Sequence, residues 1–382
     1  MQSRPRNLVA VVNQQRVVII NTKQKKGTGQ GSPILRKGSG FIMKKTLLAL
    51  AIAATATSVN AAEIYANDDT KVGLKGEVDI YLTTSEVDQI GGGVEKNEAD
   101  VSTWAKIQLD AEQKLNDQFT AFASFEIETG SGGNAKFDDV LVGFKTDTWG
   151  MAFGETGDLA ESADAIQKDD ITNEGNYMGS TGGHHAESNG HGAVFKGQFL
   201  EGLTLVADIN TDSTENVDNT YGISADYAFG AFSVGASYIT GERTENVDYL
   251  LTGVSASAEF GGLYLAATYA QYEGNQGYGY WDLPTNYGNG ETMGVAAAYQ
   301  LDAVRLYTTY SIATTDEEVD AATGVVTSIS DIDSTNLVVG ADYAFRDNVL
   351  FFAEYQTADF EQSASNTTLD ADGITAGVYY TF

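Results

Sequence analysis

From residue 62 onward the side chains alternate between apolar and polar with a period of two, segment after segment. That period belongs to β-strands with one oily and one wet face, because successive side chains on a strand point to opposite sides. Residues 71–82 set Val72, Leu74, Val78, Ile80 and Leu82 against Lys71, Lys75, Glu77, Asp79 and Tyr81. Residues 203–210 set Leu203, Leu205, Ala207 and Ile209 against Thr204, Asp208 and Asn210. Residues 221–229 set Tyr221, Ile223, Ala225, Tyr227 and Phe229 against Gly222, Ser224 and Asp226. No apolar run in this part of the chain reaches the length of about 20 residues that a membrane helix needs. Strands that cross a bilayer must close into a cylinder, since lipid offers no partner to an unpaired N–H or C=O. Parity then assigns an apolar outside and a carboxylate-rich inside, although a soluble β-sandwich would show the same alternation.

What precedes the strands bears on that choice. Met43-Lys44-Lys45 followed by Thr46-Leu47-Leu48-Ala49-Leu50-Ala51-Ile52-Ala53-Ala54 is a charged stretch plus a short apolar run, and Val59-Asn60-Ala61 supplies small residues for cleavage. Residues 43–61 therefore read as a secretory signal peptide, with the mature start at Ala62. Residues 1–42 show no pattern of their own and read as a misassigned, disordered upstream start. The first 61 residues hold ten Lys or Arg and no acid, which leaves 12 basic against 53 acidic side chains beyond them. Such a surface repels nucleic acid and favours cations as partners. The absence of Cys rules out a disulfide scaffold or a zinc–thiolate site.

Short turns are expected at Asn116-Asp117, Asp147-Thr148, Glu201-Gly202, Gly230-Ala231, Gly261-Gly262, Asp302-Ala303 and Arg346-Asp347, all residue types that suit two-residue connections. Longer polar segments alternate with them near 83–100, 129–136, 156–190, 210–219, 241–248, 273–290, 313–333 and 358–370. Eight long loops and seven short turns make 16 antiparallel strands with both ends on the periplasmic side. The last strand, from Gly373, puts Ile374, Ala376, Val378, Tyr380 and Phe382 on one face. Tyr227, Phe229, Phe260, Tyr343, Phe345, Tyr379 and Tyr380 are candidates for interfacial aromatic girdles.

The start Ala62-Glu63-Ile64-Tyr65, the strand Lys71-Val72-Gly73-Leu74-Lys75-Gly76 and the final Tyr380-Thr381-Phe382 resemble the general diffusion porins of enteric and marine Gammaproteobacteria. The resemblance covers essentially all of residues 62–382. It implies an all-β fold, a 16-stranded transmembrane barrel of the Gram-negative outer membrane with a long third loop folded into the lumen, and a homotrimer. The implied function is passive diffusion of ions and small hydrophilic solutes, with neither catalysis nor a cofactor.

Flux through such a pore is set by its narrowest section and the charge lining it. The third loop, 156–190, carries Asp158, Glu161, Asp164, Asp169, Asp170 and Glu174. Its Asp170-Ile171-Thr172-Asn173-Glu174 stretch is similar to the family's constriction pattern, which makes Asp170 and Glu174 the expected lumen carboxylates. A loop with that many acids also satisfies the plainer reading of a solvated surface run. In the family a basic cluster on the facing wall opposes these carboxylates. Lys106 matches one of its positions, but Asp138 stands at another, and the sixth strand's Ser188-Asn189-Gly190 brings no Arg. By parity the other lumen cations are Lys71, Lys75, Lys114, Lys196 and Arg305, against Glu77, Asp79, Asp110, Glu112, Glu126, Asp208, Asp226, Asp342 and Glu354. A net-negative, cation-preferring bore follows.

Three further features stay open at this level. His184, His185 and His191 sit close together in a Gly/Ser-rich stretch, where a transition-metal site and a flexible turn are both readable. Asp316-Glu317-Glu318 with Asp320 is suited to bridge lipopolysaccharide phosphates through Ca²⁺ or Mg²⁺. Trp104, lumen-facing by parity, and Trp281 in Tyr278-Gly279-Tyr280-Trp281 are either a partial slide for sugar rings or packing residues. An outer-membrane enzyme would need a His on the barrel wall, and all three His lie in one loop. A plugged barrel serving adhesion or structure is the remaining alternative.

Overall fold

A computed structural model describes residues 62–382 apart from 158, 182–191, 276, 283–285 and 364. The expected signal peptide at 43–61, residues 1–42 and the three His lie outside the described residues. After a five-residue strand, β1 (Ala62–Ala66), come β2 (Thr70–Asp88), β3 (Val94–Lys114), β4 (Thr120–Gly130), β5 (Lys136–Lys145) and β6 (Trp149–Gly154). β7 (Gly192–Leu200), β8 (Leu203–Asn210), β9 (Thr220–Phe229), β10 (Phe232–Thr244), β11 (Val247–Phe260) and β12 (Leu263–Asn275) follow. A small hairpin, β13 (Gly277–Tyr278) and β14 (Trp281–Asp282), precedes β15 (Asn286–Leu301), β16 (Val304–Asp320), β17 (Val326–Arg346), β18 (Val349–Gln362) and β19 (Thr367–Thr381).

The strands from β2 to β12 pair in sequence, β12 pairs with β15, and pairing then continues to β19. β19 returns to β2, from Ala371↔Val87 to Thr381↔Glu77, and closes a 16-stranded antiparallel barrel. The ladder does not stop there. Phe382 and Gly76 exchange backbone hydrogen bonds of 2.9 and 2.8 Å, and β1 then takes up the edge of β2 from Leu74 to Lys71. Pairing β19 with β2 removes the two free edge strands that an open sheet would have, which is what lets a sheet cross lipid.

Burial follows the alternation. On β2, Val78, Ile80 and Leu82 are exposed on the isolated chain, whereas Asp79 is fully buried. Aromatic side chains collect near the short turns: Tyr227–Phe229–Phe232–Phe260 in ring contacts of 5.4, 5.8 and 5.4 Å, and Phe119, Phe144, Trp149, Phe195 and Phe199 in another patch. Amphipathic rings prefer the headgroup level, so these patches mark the periplasmic girdle.

Most short turns fall where the sequence places them. Gly261 and Gly262 both have positive φ, 55° and 94°, as the tight β11–β12 turn requires. Two turns differ. Arg346 pairs with Val349, so that turn is Asp347-Asn348 rather than Arg346-Asp347. The β3–β4 connection widens to Leu115–Phe119, with the Asn116 Oδ1 accepting the N–H groups of Gln118 and Phe119 at 2.8 and 3.0 Å.

The expected long loops at 83–100, 241–248 and 313–333 are corrected more strongly. There the ladders continue to Asp88↔Val94, Thr244↔Val247 and Val319↔Val326. Backbone pairing is indifferent to side-chain polarity once both faces meet water, so the period-two signal ends before the strand does. Register shifts at Thr83/Ser85, Glu242/Thr244 and Thr315/Glu317 sit where polarity changes, and each bulge resets the parity.

Candidate functional site

The segment between β6 and β7 is described over 155–157 and 159–181. Its root is held by Glu155, whose carboxylate accepts the Val140 N–H at 2.8 Å and whose own N–H donates to the Val140 carbonyl at 3.0 Å. A 3-10 turn, Ser162–Ile166, starts with Glu161 and Asp164 capping one another, and a single helical turn, α1 (Met178–Thr181), ends the described part.

Apolar packing fixes this segment along one set of wall residues. Leu159 and Ala160 cluster with Phe122, Leu141, Ala152, Val194 and Val206 on β4–β8. Ala163, Ile166 and Met178 cluster with Ile239, Tyr249, Leu251, Ala270 and Tyr272 on β10–β12. Ile171 packs with Ala266, Ala296, Ala298 and Tyr307 on β12–β16. All these wall residues are buried and belong to the parity opposite the exposed apolar belt. The face opposite the exposed belt carries the expected carboxylates, and where the segment packs it carries these apolar side chains as well, because a docked loop must exclude water to hold.

Polar contacts continue the same path. Asp208 accepts the Ser162 N–H, Ser237 Oγ donates to the Ser162 carbonyl at 2.6 Å, and Ser255 Oγ donates to the Ala165 carbonyl at 2.5 Å. Lys168 pairs with Asp226 and donates to Ser233 Oγ at 2.9 Å, while Tyr264 Oη donates to the Lys168 carbonyl at 2.7 Å. Further on, Glu354 accepts three backbone N–H groups, from Asn173 at 2.6 Å and from Glu174 and Gly175 at 2.8 Å each. Asn336 Nδ2 donates to the Asn176 carbonyl at 2.9 Å, and Tyr379 Oη donates to the Glu174 carboxylate.

A family model described as Gram-negative porin matches residues 48–363. The chain belongs to the Gram-negative porin family. Among curated relatives, outer membrane porin C of Salmonella typhimurium (strain LT2) is 28% identical over 392 residues, covering 89% of this chain and all of that protein. Outer membrane protein U of Vibrio parahaemolyticus is 28% identical, over 82% of this chain and 89% of the relative. A monosaccharide porin of a Halomonas species is 25% identical, over 89% and 100%. In fold, the chain matches Salmonella typhi OmpF solved in complex with daunomycin, with TM-score 0.61, 18% identity and 84% of this chain against all of that one. It also matches a loop-L8 deletion mutant of Vibrio cholerae OmpT, with TM-score 0.63 at 16% identity and 82% of this chain against all of that one. The porin is an outer-membrane channel protein that crosses its membrane with β-strands.

In this porin the residues singled out from sequence fall into three groups. Asp158 lies outside the described residues. In the loop, Asp164 is exposed, Glu174 is half-buried and Glu161 is buried. Asp170 is only 9% exposed. Burial, with Asp169 beside it, pushes the Asp170 carboxyl well above the usual carboxylate range, and burial pushes Asp169 up to about 6. On the wall, Lys75 lies 3.6 Å from Asp110, and Lys106 lies 2.9 Å from Glu126 and over the Trp104 ring at 5.6 Å. Trp104 Nε1 donates to Glu128 at 3.0 Å, and Glu128 and the half-buried Asp138 both face Lys136, at 2.7 and 3.8 Å. A bulge explains how Asp138 and Leu141 share a face: Asp139 has φ 49° and, with Val140, opposes the single residue Phe125.

Three cations escaped the sequence reading, Lys136 beside Glu128 and Asp138 being one of them. Lys145, 2.5 Å from Glu112, shares its parity with Leu141 and Gly143, so counting back from the Asp147-Thr148 turn would have found it. Lys168 had no such signal, since nothing in a loop's period says where it points. Trp281 is 3% exposed, packs with Phe360 and Leu369 and donates to the Asp88 carbonyl at 2.7 Å. Asp320, from the acidic 316–320 stretch, is used locally, accepting from Thr323 N and Oγ1 at 2.9 and 2.7 Å.

Proposed function

We propose that this porin is a general diffusion channel for ions and small hydrophilic solutes, that residues 155–181 narrow its bore, and that it prefers cations. The observation carrying this reading is the burial of Leu159, Ile166, Ile171 and Met178 against wall residues of the parity opposite the lipid-facing belt. A segment seated there occupies the inside of the cylinder. Cation preference rests on the charge inventory. Lys75, Lys106, Lys145, Lys168 and Arg305 each lie within ion-pair distance of a wall carboxylate. Asp208 and Glu354 receive hydrogen bonds from the Ser162 N–H and from the loop backbone, and beyond residue 61 the sequence carries 53 acids against 12 bases. The carboxylates Asp164 and Glu174 are the loop's proposed contribution to the constriction.

The test is a reversal potential across a planar bilayer in a KCl gradient with purified protein. The expected potential has the sign of K⁺ permeation, and a Cl⁻-selective potential would refute the charge assignment.

A homotrimer is part of this reading, supported by the fold's likeness to OmpT of Vibrio cholerae solved in trimer form. Cleavage after Ala61 is part of the same reading, on the charged and apolar pattern of residues 43–54 and the small residues before Ala62. Ca²⁺ or Mg²⁺ bridges from Glu317 and Glu318 to lipopolysaccharide phosphate remain part of the proposal on charge alone. Sugar selectivity is a second reading, favoured by the half-buried Trp104 on the wall and by the Halomonas relative's name. Saturable liposome swelling with monosaccharides would lift it above general diffusion.

A further inference from the structure

The wall under residues 162–169 contains glycines at inward positions of four strands, and loop atoms occupy the space each one lacks. A Cβ on Gly235 would fall within 3.0 Å of the Ala165 carbonyl, and one on Gly222 within 3.0 Å of Ser162 Oγ. At Gly294 the obstacles are Asp169 Oδ2 and Met178 Cβ together with Thr268 Oγ1 of the wall, and at Gly253 the Ile166 Cδ1 shares the space with the wall's own Tyr269 carbonyl and Ala270 Cβ, all under 3.0 Å. None of the four has a positive φ that would call for glycine on backbone grounds. The reason for glycine is room. On β10 and β11 the next inward residue is a serine that donates to the loop, Ser237 beyond Gly235 and Ser255 beyond Gly253. Glycine lets the loop backbone sink against the sheet, and the hydroxyl holds it at that depth.

We propose that Gly222, Gly235, Gly253 and Gly294 set the width of the channel, as positioning residues that fix how far the loop stands from the wall. This rests on the reading of 155–181 as the constriction and adds that the cross-section is encoded in the wall as well as in the loop. A side chain at Gly235 meets a backbone carbonyl, which cannot rotate aside as a side chain would, and the loop must retreat into the bore.

The experiment compares purified wild type with Gly235→Ala, Gly235→Val and Gly253→Ala, each checked for folding by its heat-dependent mobility on SDS gels. Single-channel conductance should fall roughly twofold in Gly235→Val and less in the alanine variants, because the narrowest section governs flux. The size limit in liposome swelling should shift to smaller sugars in the same order. Gly73→Ala is the control, since a Cβ there meets nothing within 4 Å, and should conduct as wild type. Should Gly235→Val fail to fold, the two alanine variants carry the same expectation. A folded Gly235 variant with unchanged or raised conductance overturns the proposal.

Replacing residues 162–170 by a Gly/Ser stretch of equal length separates this inference from the one beneath it. The replacement should raise conductance and cancel the effect of Gly235→Val. Unchanged conductance on replacement sinks the constriction reading itself. A rise on replacement combined with no effect of Gly235→Val in the native loop sinks only the role of the glycines.

Discussion

Tyr307 donates its hydroxyl hydrogen to Glu354 Oε1 at 2.7 Å and accepts from Asn173 Nδ2 at 2.6 Å, so a strand tyrosine and a strand carboxylate grip the same loop residue from two sides. Gly340 makes this possible, since a Cβ there would run into the Tyr307 ring. Glu354→Ala strands three backbone N–H groups and one hydroxyl, and a buried donor without a partner costs about 1–3 kcal/mol. The loop tip should loosen, giving flickering single-channel currents from a barrel that still folds. Glu354→Gln keeps an acceptor and should flicker less. Quiet, wild-type traces from Glu354→Ala would show that the apolar seat alone holds the tip.

Asp169 gives the loop a dependence on pH. It is fully buried, accepts the Met178 N–H at 3.1 Å, and burial raises its carboxyl to about 6 against 3.8 for the free group. A raised folded-state value means that the docked loop holds this proton more tightly than the released loop. Its contribution is full below about 3.8 and is lost as pH climbs through about 6, on the order of 3 kcal/mol in total. Limited proteolysis should cut within 155–181 faster at pH 7.5 than at pH 5. Asp169→Asn, which cannot ionise, should weaken that dependence and the Asp169→Asn/Asp170→Asn double variant should flatten it, since the Asp170 carboxyl is raised as well; a full pH difference surviving in the double variant would assign it elsewhere.

The outer face answers to a different solvent. Ile80 is 49% exposed on the isolated chain and pairs with Val378 and Thr103 in mid-strand. An arginine facing lipid near the midplane of a barrel costs roughly 2–4 kcal/mol. Ile80→Arg should therefore lower the denaturant midpoint of refolding into lipid vesicles, whereas Tyr81→Phe, one residue on and facing inward, should not shift it comparably. Equal effects would contradict the parity of β2.

The barrel was legible because lipid on one side and water on the other force a period of two, and tight turns such as Gly261-Gly262 punctuate it. Legibility ended where that physical asymmetry ended. Above the bilayer β2 and β3 run on with Glu86 and Lys96 paired at 2.6 Å, and no apolar face remains to mark the strand. Ile239 and Leu251, at positions of the carboxylate-bearing parity, are apolar because they meet the loop, a tertiary partner that a strand's own pattern does not name. For the same reason Asp170 reads as a lumen carboxylate in sequence, yet its side chain is buried and pushed toward the neutral form.

Trp281 and Trp104 separate the packing and sugar readings. Trp281 is buried among Ile332, Phe360, Leu369 and Ala371 and holds the β13–β14 hairpin to the ends of β17–β19. Trp281→Ala should expose the 277–282 hairpin to protease and leave permeation of small sugars unchanged. Trp104→Ala should slow sugar entry only if that ring contacts solutes, so equal swelling rates for wild type and Trp104→Ala would leave general diffusion as the sole reading.

Lys106 offers the most direct electrostatic test, because it lies on the wall with Glu126 at 2.9 Å and Trp104 beneath it. Removing its charge leaves the Glu126 carboxylate with one cation fewer beside it to offset its pull on passing ions. At about 6 Å in a water-like medium one unit charge is worth about 0.7 kcal/mol, a roughly threefold bias in local ion concentration before screening. Lys106→Ala should thus raise the K⁺/Cl⁻ permeability ratio by up to about that factor in dilute KCl, and the gain should shrink in molar salt, where the Debye length falls to about 3 Å. Glu126→Gln should move the ratio the other way. If both variants keep the wild-type reversal potential at low salt, ions pass beyond the reach of this pair, and the selectivity of the bore must come from the loop carboxylates instead.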